Sequence, residues 1–241
     1  MNNSKKGFTL VELSIVLVII GLLIGGILVA QSMIETTKVQ ALVRQLGQFD
    51  AAVGNFKDKY SSLPGDSTLI SAGDGDGTIE DDGDAIVDFA GEIGGFWYDL
   101  GQTGLRNDAG ANYPDDTAGD AAFVVGTDIP TAKLGNKAGV LAFGVSGVNY
   151  YHIAANGSAD EDLDTLSLAF TPAVVLSIDT KMDDGAGNVV ASDQLVLDGT
   201  GVATTGTDCT TTAGGDTYDV AITTDACAIR VRIGTSTGNY Q

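Results

Sequence analysis

The chain is short of nearly everything that metal chemistry and acid–base catalysis ask for. Its 241 residues include one histidine, two cysteines, one tryptophan and four prolines. A structural zinc site wants four His or Cys ligands, and the chain offers too few. A serine triad would have to take His152 as its base, and His152 sits in an apolar, aromatic run (Val148-Asn149-Tyr150-Tyr151-His152-Ile153) that predicts a half-buried strand. Bases are scarce too: twelve Lys and Arg stand against thirty-two Asp and Glu, for a net charge of -20. Residues 8–60 carry four acids and four bases, so the excess lies from Ser61 onward, with twenty-eight acids and six bases. So acidic a region repels nucleic acid and anionic lipid, and no direct nucleic-acid partner is expected. It suits solubility, cation binding or a basic partner. No fixed-period repeat is present, and no block is biased enough to exclude a packed core.

Against these shortages stands one long apolar run. Residues 1–7, MNNSKKG, are polar and basic, and Phe8–Ala30 follows as FTLVELSIVLVIIGLLIGGILVA with Glu12 as its single charge. A helix needs about 20 apolar residues to cross the hydrocarbon core of a bilayer, and this run is long enough. Lys5 and Lys6 precede it, so the positive-inside rule keeps the N-terminus cytoplasmic and sends the rest across. A secretory signal peptide fits poorly. The apolar region is too long, and Leu28-Val29-Ala30 puts a large residue where a small one is wanted. A plain anchor or a buried core helix leaves Glu12 unexplained, since a carboxylate within a membrane helix is costly and usually has a partner and a task.

Lys5-Lys6-Gly7-Phe8-Thr9-Leu10-Val11-Glu12-Leu13 resembles the leader-peptidase recognition segment of type IV prepilins and type II secretion pseudopilins, and the match runs to about Ala30. The resemblance implies that a prepilin peptidase cuts after Gly7, that the new terminal Phe8 is N-methylated, and that Glu12 aids assembly by neutralising the amino terminus of a neighbouring subunit. It also implies an inner-membrane precursor with a periplasmic head. The inner-membrane assembly machinery would draw it into a homo- or hetero-polymeric filament, at the cell surface or as a periplasmic pseudopilus. Related helices usually carry a proline in the apolar half. This one has none, and Gly21, Gly25 and Gly26 supply flexibility and a spacing suited to close helix packing. Pairing a buried carboxylate with a buried ammonium relieves the desolvation of both, and would set the axial register between helices.

Beyond the membrane run, Val39, Leu42, Leu46, Phe49, Val53, Phe56 and Tyr60 recur in steps of three and four, an apolar stripe on a continuing helix. Lys38, Arg44, Gln45, Gln48, Lys57 and Asp58 fall off it. Ser61-Ser62-Leu63-Pro64-Gly65-Asp66 ends the helix, because proline cannot continue it. The expected organisation is a leader (1–7), the transmembrane or assembly half of the helix (8–30), its amphipathic half (31–60) and an acidic globular head (61–241). A short helix is predicted at Glu92–Leu100, and another from Thr171-Pro172 to about Met182 with Gly185 as its stop. Strands are predicted at Phe123–Gly126, Val140–Val145, Val148–Ile153, Gln194–Leu197, Tyr218–Thr223 and Ala228–Ile233. The fold class is α+β, a long N-terminal helix packed on a mainly antiparallel β head with short extra helices. Leu63-Pro64-Gly65-Asp66, the Gly-Asp repeats from Gly73, Phe96-Trp97 with Gly104-Leu105, and Ile178–Gly185 resemble segments of longer prepilin-like proteins.

Asp74-Gly75-Asp76-Gly77-Thr78-Ile79-Glu80-Asp81-Asp82-Gly83-Asp84 alternates carboxylates on a glycine-rich loop, the way hard cations are wrapped. Taking Asp74 as first ligand places Asp76 and Thr78 next but lacks the central glycine. Taking Gly77 as the central glycine recovers the loop's shape but puts Ala72 in first position. Asp74, Asp76, Glu80 and Asp82 are the candidate calcium ligands, and a solvated acidic loop is the alternative. No cofactor is required. Asp183-Asp184-Gly185 is explained by a turn after a helix. Cys209 and Cys227 would pair in an exported head. Trp97, between Phe96 and Tyr98, fits a core anchor better than a sugar platform. The function expected is a structural subunit of a type IV pilus or pilus-like filament, not an enzyme. The alternatives are a type II secretion pseudopilin and a non-polymerising, membrane-anchored, calcium-dependent adhesin.

Overall fold

Thr9 opens the longest element. Its backbone is extended and its hydroxyl accepts the Glu12 N–H, while the Glu12 carboxylate accepts the Thr9 N–H, a reciprocal capping box that starts α1 (Leu10–Tyr60). The computed structural model describes residues 9–71, 73–80, 91–106, 124–135, 138–145, 147–155, 168–182, 195–198, 209, 211 and 217–234. α1 runs unbroken for 51 residues, about 75 Å at 1.5 Å per residue. It stops where Ser61 turns left-handed (φ 58°) and donates its N–H to Lys57 O, just ahead of Pro64. Lys57 and Lys59 sit in the last turn, where the helix dipole favours cations.

The two halves of α1 differ as the sequence predicts. From Leu10 to Ile34 the large apolar side chains are exposed all round. From Val39 onward the stripe goes under: Val39, Leu42, Leu46, Phe49, Val53 and Phe56 are buried, and Tyr60 packs against them. Two polar residues off the stripe are buried as well. Gln45 donates to Thr131 O and accepts the Lys133 N–H, both at 2.9 Å, and Asp50 accepts the Gly234 N–H at 2.8 Å. Buried polar groups need such partners, and these clamp α1 to two distant loops.

The stripe packs on a four-stranded antiparallel sheet and two helices. α2 spans Gly91–Gln102 and α3 Pro172–Met182; the strands are β1 (Ala138–Val145), β2 (Val148–Ala155), β3 (Leu195–Asp198) and β4 (Ala228–Arg232), in the order β1-β2-β4-β3. In register, Val140 faces Ile153 and Ile153 faces Ile229, while Ala142 faces Tyr151 and Tyr151 faces Val231. All six are buried, which makes this the core face. Phe49 of α1 meets Trp97 of α2 at 4.7 Å and Tyr151 of β2 at 6.0 Å, so one aromatic cluster joins helix, helix and sheet. The arrangement is α+β. Trp97 is fully buried, a core anchor.

Two expected strands come out as turns. At Phe123–Gly126, Val125 makes one bridge to Ile129 across a turn in which Gly126 takes φ 87°; Phe123 lies outside the described residues. At Tyr218–Thr223, the Asp219 carboxylate accepts the Ala221 N–H and its carbonyl the Ile222 N–H, which bends the chain out of extended structure. Gly185 and the turn from Asp183 lie outside the described residues.

Cys209 and Cys227 form a disulfide with a Cα–Cα distance of 5.1 Å across 18 residues of sequence. Cys227 also exchanges backbone hydrogen bonds with Phe170, just ahead of α3, so the bridge ties the Cys209 segment to the entrance of β4. Closing such a loop constrains the unfolded chain by about 3 kcal/mol. The Cys209→Ser, Cys227→Ser double variant is therefore expected to lose about that much in urea unfolding. Unchanged unfolding after reduction of the native protein would show that the bridge carries no stability.

Candidate functional site

Two places concentrate unusual chemistry. The first is the start of α1. There the Glu12 carboxylate accepts both the N–H and the hydroxyl of Thr9, at 2.9 and 2.7 Å. Within one subunit this acid is thus spent on its own helix end, through a Thr-x-x-Glu capping box from Thr9 to Glu12 that lies inside the apolar run. Gly7 and Phe8 lie outside the described residues. Around and beyond Glu12 the helix is a bare apolar rod. Gly21, Gly25 and Gly26 face open space, so nothing among the described residues uses their small size. α1 is long and apolar enough to cross a membrane. A helix apolar on every side demands cover on every side.

The second place is the acidic turn between α1 and α2, built on close backbone packing. A Cβ on Gly65 (φ 83°) would meet Glu92 O at 2.3 Å, and one on Gly73 would meet the Asp66 backbone at 2.2 Å. These two glycines let the chain fold back on itself and lay Asp74 beside Asp66. Asp99 of α2 holds the turn from below, its Oδ2 accepting the Gly65 N–H at 2.8 Å and the Ser71 hydroxyl at 3.0 Å. Glu92, in the first turn of α2, accepts the Asp74 and Glu80 N–H groups at 2.9 and 3.1 Å. Asn149 of β2 moors the far side, accepting the Ile79 N–H and donating to Gly77 O.

Of the expected calcium ligands, the structure brings Asp74 and Asp76 together. Asp66 joins them, a residue the contiguous loop pattern does not reach. Glu80 is exposed and stands outside this group, and Asp82 lies outside the described residues. Burial raises the Asp66 carboxyl above the usual carboxylate range, and the Asp76 charge adds to the shift against the pull of backbone N–H groups. Burial likewise pushes Glu92 up to about 7, with the charges of Asp66 and Asp74 adding to it. No Lys, Arg or His occurs between Ser61 and Leu105, so the turn brings no base of its own.

His152 is buried more deeply than its sequence neighbours imply, at 1% exposure. It stacks on Phe143, and its Nδ1 accepts from Arg230 Nε at 3.1 Å. Burial first, then the Arg230 charge, drives its pKa well below the ordinary imidazole value. One G-x-S-x-G pattern does occur, at 234–238; Gly234 is tied to Asp50 just past β4, and Ser236 lies outside the described residues.

No curated protein and no solved structure matches the chain significantly. A family model does match, over residues 2–28, described as the prokaryotic N-terminal methylation motif. That motif implies a subunit processed by a peptidase and built into filaments, and together with the apolar half of α1 it points to membrane anchoring. It points to a structural protein. Residues 2–28 thus carry the type IV prepilin-like signal, which supports a type IV pilin-like or pseudopilin-like protein.

Proposed function

We propose that the chain is a structural subunit of a type IV pilus or pilus-like filament, polymerising through α1 after its leader is removed between Gly7 and Phe8. The observation that carries this reading is the exposed apolar rod from Leu10 to Ile34, continuous with a stretch of the same helix that is locked into a folded head. A bilayer covers such a rod in the precursor, and neighbouring rods cover it in a filament. The prepilin peptidase would methylate Phe8, and the assembly machinery of the inner membrane would extract the subunit. Glu12 then exchanges Thr9 of its own chain for the amino terminus of a neighbour, so that two groups costly to bury are buried together.

N-terminal analysis and intact mass of the membrane-bound or assembled protein test the processing step. The expected product begins with N-methylated Phe8. A mature terminus near Gln31 would replace this reading with an ordinary signal peptide.

A further inference from the structure

Three acids from the two sides of the Gly65–Gly73 turn converge beside the end of α1. Asp66, Asp74 and Asp76 each bring one carboxylate oxygen into a group whose members lie within 4.8 Å of one another. Asp74 and Asp76 are exposed, but Asp66 is 1% exposed. Its Oδ2 accepts the Gly77 N–H at 3.1 Å, while its Oδ1 is buried with no hydrogen-bond partner. A buried carboxylate oxygen without a donor, set against two further carboxylates, is repelled by its neighbours and unserved by water. A cation among the three reverses both penalties.

We infer that Asp66, Asp74 and Asp76 form a calcium site that fastens the turn after α1 to the rest of the head. The donors are all hard oxygens, with no imidazole or thiolate to favour zinc or copper. Oxygens on opposite sides of a calcium ion stand about 4.6–5.2 Å apart, and on opposite sides of magnesium about 4.0–4.2 Å. The three oxygens all lie within 4.8 Å of one another, close enough for one calcium ion to reach them together. One oxygen of each acid is already fixed: Asp66 Oδ2 by the Gly77 N–H, Asp74 Oδ1 by the Asp76 N–H, and Asp76 Oδ1 by the Thr78 N–H. The carboxylates are therefore held in place before the ion arrives. The exposed side, at Asp74 and Asp76, leaves room for the waters that complete a calcium shell. Because the loop is moored to Glu92 of α2 and Asn149 of β2, an ion there joins the end of α1 to both.

The site stands apart from the filament reading, and its test needs no filament. Full-length protein in detergent is melted at moderate salt with millimolar calcium, with equal magnesium and with chelator, and calcium binding is followed by titration calorimetry. Calcium is expected to raise the midpoint by several degrees over chelator, magnesium by clearly less, with one saturable site. Asp66→Asn keeps the shape and an acceptor for the Gly77 N–H. It is expected to lower calcium affinity at least about tenfold. With chelator it should melt no lower than the native chain, because it removes a buried charge that has no counterion. Asp74→Asn with Asp76→Asn, both at exposed positions, should abolish the calcium effect without unfolding the protein. Identical midpoints in calcium and chelator would overturn the site. So would equal shifts with magnesium, which would mean diffuse screening of an acidic surface, or a calcium effect that survives Asp66→Asn.

Discussion

Glu12→Ala is expected to leave the chain inserted in the membrane while keeping it out of filaments, with the assembled fraction falling at least about tenfold. Insertion should be intact or improved, because an apolar helix without a carboxylate enters a bilayer more readily. Assembly should suffer because the methylated ammonium of the adjacent subunit is then buried without a counterion. The capping box adds a complication and also the means to resolve it. Glu12 serves Thr9 within its own chain, so alanine removes a cap as well as a charge. Glu12→Gln separates the two effects: glutamine still accepts from the N-cap backbone in a capping box but carries no charge. If charge pairing drives assembly, glutamine fails nearly as badly as alanine. If capping is the point, glutamine rescues. Sheared-fibre yield against membrane-retained subunit is the measurement, and normal incorporation of both variants would leave Glu12 with no part in assembly.

The second large effect is in the core. Trp97 is fully buried, 4.7 Å from Phe49, 4.8 Å from Phe96 and stacked on Tyr151 at 6.4 Å, with the Arg106 guanidinium over its ring. Trp97→Ala empties the point where α1, α2 and β2 meet and should cost about 3–5 kcal/mol. Against a typical domain stability of about 5–15 kcal/mol, that removes a large share of what holds α1 to the sheet. Trp97→Phe should cost much less. It keeps a ring in the cluster and removes an indole N–H that is buried without a hydrogen-bond partner, so part of the lost packing is offset. Urea unfolding of the detergent-solubilised chain, followed by far-ultraviolet circular dichroism, reads both variants. An alanine variant as stable as the native chain would show that the cluster is not the keystone of the fold.

Helices were legible wherever their signals are local. The steps of three and four from Val39 to Tyr60 mark a buried face, because residues so spaced share one side of a helix whatever the rest of the chain does. Thr171-Pro172 marks the start of α3 for a similar reason, a residue type favoured at a helix cap followed by a fixed φ, and α3 does begin at Pro172. β1, β2 and β4 also fell close to their predicted ranges, as runs of apolar and aromatic residues between turns. Tyr218–Thr223 shares that composition, yet Asp219 turns the chain there by hydrogen-bonding its own backbone. Short strands depend on finding a partner edge, and composition does not say whether one exists.

What the sequence determined by itself was the N-terminal apparatus: a short basic start, an apolar run with one acid and a continuous amphipathic stripe. Each is written in residues at most four apart, so hydrophobicity and helix geometry suffice to read it. Tertiary structure alone decided where the polar residues beyond the apolar run went. Gln45 and Asp50 look like solvent-facing positions on α1, but they are buried because loops 86, 88 and 184 residues away bring backbone groups to them. Asp66 looks like a turn residue after a proline. It joins Asp74 and Asp76 only because two glycines let backbone approach backbone at distances that any side chain would block. A carboxylate's neighbours at long range follow from how the chain returns on itself, and that return is set by packing in the core.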